Sequence, residues 1–368
     1  MKKKIFICCT EQSGENICFN IIKRLKKYTF EIDGVCGFNS EKYINNKFFD
    51  ISEFKSIGLI EIIFSIRKYI KMINFLKNKI IENNYDLIIC IDSPDFNYNL
   101  VKSLRKKNYS NKIIHIVAPT VWAWRKNRAK KFANIFDEIF LLFDFEKKYF
   151  NFPNIISTVI GHPIFHISKR KKNINYKYIS FLFGSRVNEV NKLFPYFDAI
   201  EKYISLNKLE WSIFIPTLPH LTKTIEEKTR IWTTNTIISD KIDMFDRYYE
   251  NVFISITCSG TATLEIAKRN IPQIIIYKLN FITELILKMF VKIRMVSILN
   301  IVSNKIIIPE IINSKLNKND LINMFIKITT DNNFREEQIK NVNLYLPHIE
   351  TNKSPYDISV KRIIDIIN

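Results

Sequence analysis

Glycine is scarce in this chain: seven in 368 residues. A scarce glycine tends to persist where the backbone needs positive φ or a close approach. Gly14, Gly161, Gly184 and Gly260 each follow a strand-like apolar run, so the turns at strand ends keep that freedom. Histidine is also thin, with five scattered copies and no HExxH, which excludes the commonest zinc-hydrolase pattern. The six cysteines, at 8, 9, 18, 36, 90 and 258, form no CxxC pair and mostly lie in apolar runs. They read as buried thiols in a reducing compartment. No apolar run is long and clean enough to span a bilayer: the greasiest, 273–299, carries Lys278, Glu284, Lys288, Lys292 and Arg294. Met1-Lys-Lys-Lys resembles the start of a signal peptide, but the apolar run Ile5–Cys9 is too short for its hydrophobic region. A cytoplasmic protein, soluble or peripheral on a membrane, is expected. No GxxxxGK[ST] phosphate loop and no GxSxG nucleophile elbow is present.

What is present is ample core. Hydrophobic residues make up 47% and aromatics 13%, and the length suits two domains. The net charge of +20 could serve nucleic acid, an anionic membrane surface or phosphorylated substrates. Codon drift in an AT-rich genome, which favours Ile, Lys, Asn, Phe and Tyr, explains much of it. Lysine is spread along the chain, and no recognition-helix, zinc-finger or RNP pattern appears, so nucleic acid is not the expected partner.

Strand-like and helix-like stretches alternate. Ile5–Cys9, Phe30–Gly37, Leu87–Ile91, Lys112–Val117 and Glu138–Phe143 read as strands, and Asn16–Lys27 and 57–83 as helices. Residues 166–178 are polar, basic and aperiodic, the best linker in the chain. The pattern restarts with the strand Ile179–Phe183, the loop Gly184-Ser185-Arg186 and a helix from Asn188. Residues 252–277 form one unit of strand, tight loop Cys258–Thr261, helix to Arg269 and second strand Gln273–Tyr277. Ser259 and Thr261 are natural helix N-caps, and such a loop suits an anion. The fold class is α/β with parallel sheets, as two Rossmann-like domains facing across a cleft. The expected boundaries are an N-terminal domain 1–165, a linker 166–178, a second domain 179–345, and a helical tail 346–368 that can pack back on the first.

Several residues at strand ends could carry chemistry. Asp92 and Asp95 could act as a base or bind hydroxyls, or Ser93 or Asp95 could merely cap the next helix. Arg186 could clamp a diphosphate, or pair with Glu189 on the surface. Glu265, one turn into its helix, is placed to accept sugar hydroxyls, or only complements the helix dipole. Trp122 and Trp124 could stack on a sugar or pack as core, and His162 could serve catalysis or a domain junction.

In order, the chain contains Glu11-Gln-Ser-Gly14, Ile91-Asp-Ser-Pro-Asp-Phe96, Val121-Trp-Ala-Trp-Arg125, Phe145-Glu-Lys147, Gly161-His-Pro163, Gly184-Ser-Arg186 with Glu189-Val190, Ser259-Gly-Thr-Ala262 with Leu264-Glu265, and Val296-Ser297 with Asn300. Together these resemble the lipid-A-disaccharide synthases, glycosyltransferases of the two-domain GT-B fold. The resemblance covers residues 11 to about 310. It departs from the family at Thr10, where a Gly is usual, at Leu299 for a Pro, and at Asn304-Lys305 for Gly-Arg; Asn can still hold a left-handed turn.

The resemblance implies an inverting transfer. UDP-2,3-diacylglucosamine would be joined to 2,3-diacylglucosamine 1-phosphate (lipid X), giving a β-1,6 disaccharide 1-phosphate and UDP, with no cofactor and no metal. Asp95 is then expected as the base with Asp92 orienting it. Gly184, Ser185, Arg186, Ser259, Gly260, Thr261, Ala262, Glu265 and Asn300 would hold the donor. Glu11, Ser13, Gly14, Trp122, Trp124, Arg125 and His162 would line the acceptor side. The greasy, basic stretch 57–83 would meet acyl chains and the anionic inner face of the cytoplasmic membrane. Two other readings are another UDP-sugar transferase of envelope synthesis, disfavoured by Val-Trp-Ala-Trp, and a basic nucleic-acid-binding α/β protein.

Overall fold

The structure is a computed structural model and describes residues 2–54, 62–122, 127–170, 176–278, 295–351 and 353–368. The chain divides into two units: residues 1–165 with 349–368, and residues 166–348.

The first unit is built on seven parallel strands: β1 (Lys3–Cys9), β2 (Phe30–Cys36), β3 (Asn46–Asp50), β4 (Leu87–Ile91), β5 (Lys112–Ile116), β6 (Glu138–Leu141) and β7 (Ile156–Val159). Their order in the sheet is β3-β2-β1-β4-β5-β6-β7. The central strands are continuous apolar runs because helices cover both faces: Leu87–Ile91 is buried at every position. One face packs Leu76, Ile80, Leu100, Leu104 and Phe132 against Phe6, Ile88 and Ile113. The other packs the helix Gln12–Leu25 and the terminal helix Pro355–Ile367 against Ile5, Ile7 and Ile89. Arg362 from that last helix forks onto the buried Glu138 at 2.9–3.1 Å, and Arg24 pairs with Asp357 at 2.7 Å. All six cysteines are free and buried, as their apolar surroundings predict.

The second unit repeats the plan with β8 (Tyr178–Leu182), β9 (Ser212–Pro216), β10 (Thr236–Ser239), β11 (Val252–Cys258), β12 (Gln273–Tyr277) and β13 (Glu310–Ile312). Its order is β10-β9-β8-β11-β12-β13, again parallel throughout. In each sheet the order reverses beside the first strand, between β1 and β4 and between β8 and β11. Such a reversal sends neighbouring connections to opposite faces and opens a crevice at the carboxyl ends of the strands.

The helix expected over 57–83 is described from Ile62 to Asn83. Ile57, Leu59 and Ile60 lie outside the described residues. From Arg67 onward one stripe, Met72, Leu76 and Ile80, is buried, while Ile70 is 53% exposed on the outer side. No helix among the described residues is long and apolar enough to cross a membrane.

Candidate active site

The β1/β4 reversal gathers the first group of candidate residues. Glu11 holds the N-cap position of the helix Gln12–Leu25, and its carbonyl accepts from the Gly14 N–H. Gly14 is buried where a Cβ would lie 3.0 Å from both the Asp92 Cβ and the Cys9 sulfur, so the loops after β1 and β4 touch through it. Across that contact Ser13 donates its hydroxyl to Asp92 Oδ2 at 2.6 Å. Asp92 and Ser93 are both left-handed, at φ 53° and 46°, and Val117 after β5 has φ 72°. Left-handed backbone is costly for non-glycine residues and worst for a β-branched one. Its concentration at adjacent strand ends marks a place where geometry takes precedence over local preference. The helix Pro94–Arg105 begins without a side-chain cap, so the capping alternative for Ser93 and Asp95 is not realised; the Ser93 hydroxyl is buried with no hydrogen-bond partner among the described residues.

Asp95 differs from the expectation that made it the base. Its carboxylate is bound by the guanidinium of Arg128, whose side chain is only 16% exposed while that of Asp95 is 78% exposed. The pair occupies Oδ1, one of the two Asp95 oxygens. Asp92, with a hydroxyl as its only side-chain partner among the described residues, is the better placed of the two.

Further along this sheet edge, Trp122 donates its indole N–H to Glu146 at 3.1 Å. Trp124 and Arg125 lie outside the described residues. His162 is 6% exposed, stacks on Phe143 at 5.5 Å and accepts the Ile164 N–H at 3.3 Å. Burial pushes its pKa down to about 4, which favours the neutral ring. Cys9, Glu15 and Cys18 bring possible ligand atoms within 4.8 Å of one another. Both Glu15 oxygens already accept backbone N–H groups, of Gly37 at 2.8 Å and Ser40 at 3.0 Å. The hydrogen bond with Cys9, and then burial, pushes the Cys18 thiol up; the same bond lowers Cys9, but burial and nearby negative groups leave it raised, which disfavours the thiolate a metal needs.

The β8/β11 reversal gathers the second group. Gly184 turns at φ 101°, and a Cβ there would meet Glu189 Oε2 at 2.4 Å. That carboxylate accepts the N–H groups of Ser185 at 2.8 Å and Arg186 at 3.2 Å, and its other oxygen pairs with the Arg186 guanidinium at 3.1 Å. The surface pairing weighed for Arg186 is thus present, but its side chain is 72% exposed and free to swing to a ligand. After β11 the chain does not cap as expected. Gly260, at φ 152° with open space around it, holds the N-cap position of the helix Thr261–Lys268, and neither Ser259 nor Thr261 caps it. Thr263 instead donates back to the Gly260 carbonyl at 2.8 Å. The first-turn N–H groups of Thr261 and Ala262 therefore have no side-chain cap and suit an anion. Glu265 lies deeper in the same helix, its pKa raised chiefly by burial and offset in part by Arg269.

Asn300 corrects a second expectation. Its amide donates to the Ile308 carbonyl at 2.8 Å and Glu310 Oε1 at 2.7 Å, and accepts from Ile307 and Ile308 at 2.9 Å. An amide has two donors and two acceptor lone pairs, so all are in use. Asn300 is a turn-holder, completely buried, and not a free donor-site contact. Asn304 does take the left-handed turn, at φ 53°.

Two parallel-sheet α/β units, each with a reversal of strand order, are the arrangement of the two-domain GT-B fold. UDP-GlcNAc 2-epimerase from Neisseria meningitidis, solved with UDP-GlcNAc, superposes with TM-score 0.63 at 14% identity, covering 99% of this chain and all of that one. MurG from Acinetobacter baumannii gives 0.60 at 11% identity, covering 99% and 100%. Residues 5–358 match the lipid-A-disaccharide synthetase family, and the chain belongs to it. The lipid-A-disaccharide synthase of Rickettsia prowazekii (strain Madrid E) is 33% identical over 98% of both chains, and that of Rickettsia bellii (strain OSU 85-389) is 34% identical over 84% of both.

Proposed function

We propose that this protein condenses UDP-2,3-diacylglucosamine with 2,3-diacylglucosamine 1-phosphate, giving the β-1,6 disaccharide 1-phosphate and UDP with inversion at the anomeric carbon. The observation that carries the reading is that residues 5–358 match the family while four of the loops that carry the resemblance, after β1, β4, β8 and β11, fall at the reversal points of the two sheets. The acceptor 6-hydroxyl oxygen attacks C1 of the donor sugar, and the C1–O bond to UDP breaks. UDP leaves with that electron pair, and the hydroxyl proton passes to a carboxylate. Asp92 is that base, oriented by Ser13 and by the packing of Gly14. Asp95 holds the neighbouring helix start through Arg128.

The second unit takes the donor. Arg186 swings from Glu189 to the diphosphate, and the uncapped helix start at Gly260–Ala262 meets the same charge. Gly184 and Ser185 shape that turn, with Ser259 beside it, and Glu265 accepts ribose hydroxyls. Asn300 acts only by holding the turn 297–310. Glu11, Ser13 and Trp122 belong to the acceptor side. Because both substrates are acylated, the enzyme works as a peripheral protein at the anionic inner face of the cytoplasmic membrane, and the exposed Ile70 beside Arg67, Lys68 and Lys71 suits that surface. Titration with UDP and with duplex DNA across salt tests the donor assignment. Saturable UDP binding with a shallow salt slope is expected. Binding of DNA alone, falling steeply with salt, would point to the nucleic-acid reading.

A further inference from the structure

Glu146 is buried to 3% exposure, yet it meets no cation among the described residues. A buried carboxylate is costly unless hydrogen bonds satisfy it. Here three N–H groups do so: Leu142 at 3.0 Å and Phe143 at 3.1 Å on one oxygen, and the Trp122 indole at 3.1 Å on the other. The first two come from the residues that lead into the turn Asp144–Tyr149, in which Glu146 is third, and a cap of that turn would account for them. The third comes from the loop after β5, 24 residues away, and capping does not explain it. Around that bond the rings form a continuous stack. Trp122 meets Phe145 edge-on at 5.8 Å, Phe145 stacks on Phe143 at 5.5 Å, and Phe143 stacks on His162 at 5.5 Å. Glu146 and these rings tie the loops after β5, β6 and β7 together at the ligand end of the first sheet.

We infer that Glu146 is a positioning residue that fixes the Trp122 ring as one wall of the acceptor site. The inference rests on the acceptor-side reading of the first unit. Glu146 touches no substrate. It acts through Trp122, whose indole would turn freely without a fixed acceptor.

Glu146→Gln separates this role from capping. A glutamine keeps one oxygen for the two backbone N–H groups but turns an NH2 toward the indole N–H, donor against donor. Trp122→Phe removes the indole donor and keeps an aromatic ring against Phe145. At pH 8, with both acylated substrates, each variant is expected to raise the acceptor KM about tenfold, the scale of one charge-assisted hydrogen bond. The donor KM should be little changed, and Glu146→Gln should not melt below the wild type. The double variant should be no worse than Trp122→Phe alone, because one interaction is lost once. A silent Glu146→Gln reduces Glu146 to a cap, and additive effects show that it acts independently of Trp122; either result overturns the inference. A second readout needs no turnover and no Glu146 variant. The Trp122 indole N–H resonance, identified by its loss in Trp122→Phe, should exchange slowly with solvent. Exchange as fast as that of a free indole also overturns the inference. If the wild-type protein turns over neither substrate, the functional reading fails, and the indole signal still decides whether Glu146 holds Trp122.

Discussion

Replacing Asp92 with Asn separates the two carboxylates most sharply. The change is isosteric, so the Gly14 contact, at 3.0 Å for an added Cβ, is undisturbed. The Asn carbonyl oxygen can still accept the Ser13 hydroxyl that now lies 2.6 Å from the carboxylate. What disappears is basicity. A positioned general base contributes about 10²–10⁴-fold to rate, so single-turnover transfer at saturating substrates should fall by about that factor. UDP affinity should stay unchanged, because the donor residues lie in the other unit. Asp95→Asn weakens an exposed ion pair with Arg128, worth at most roughly 1 kcal/mol of stability, and should leave the rate of transfer little altered. Rapid-quench measurement of disaccharide formation, alongside equilibrium UDP binding, reads both variants. The opposite pattern, Asp95→Asn dead and Asp92→Asn active, would refute the argument and return the base to Asp95.

Five further outcomes follow. Arg186→Ala should weaken UDP binding by about tenfold or more, the scale of one charge-assisted contact, and leave the melting temperature almost unmoved; isothermal titration calorimetry and a thermal melt read the two effects. Gly184→Ala places a Cβ 2.4 Å from Glu189 at φ 101°, so a loss of about 1–3 kcal/mol in denaturant unfolding is expected. Burial raises the Glu146 pKa to about 7 from 4.5, so its contribution to stability is full below about pH 4.5 and is lost as pH rises through 7. That interval corresponds to about 3 kcal/mol, and Glu146→Gln, which does not titrate, should gain melting temperature relative to wild type between pH 5 and 8; a constant difference would contradict the assignment. Transfer should survive excess EDTA, and sedimentation with anionic vesicles should weaken with salt and with Ile70→Ser.

The central strands were legible and the edge strands were not. Leu87–Ile91 and residues 274–277 are unbroken apolar runs because both faces of a parallel sheet are covered. β3, β7, β10 and β13 are the outermost strands of the two sheets and went unread. Each is short and largely half-exposed, as in Asn46–Asp50 and Thr236–Ser239, so the apolar pattern that marks a strand is missing. The loops that carry the motifs were legible as turns after strands, since strand ends and glycines are local features. The partners of those loops are not local. Arg128 lies 33 residues beyond Asp95, and only the fold reveals that pair. The capping expectation at Ser259 and Thr261 came from residue preference, and an open Gly260 with a back-bonded Thr263 displaced it. Asn300 carried a family motif, but whether its amide faces a ligand or its own turn depends on Ile307, Ile308 and Glu310.

The central claim is a transfer between two acylated glucosamines, and purified protein incubated with UDP-2,3-diacylglucosamine and 2,3-diacylglucosamine 1-phosphate tests it most directly. Mass spectrometry and anomeric NMR of the lipid product should show one β-1,6 disaccharide 1-phosphate formed per UDP released. Tight UDP binding with no disaccharide, or UDP release without the acceptor, would contradict the account.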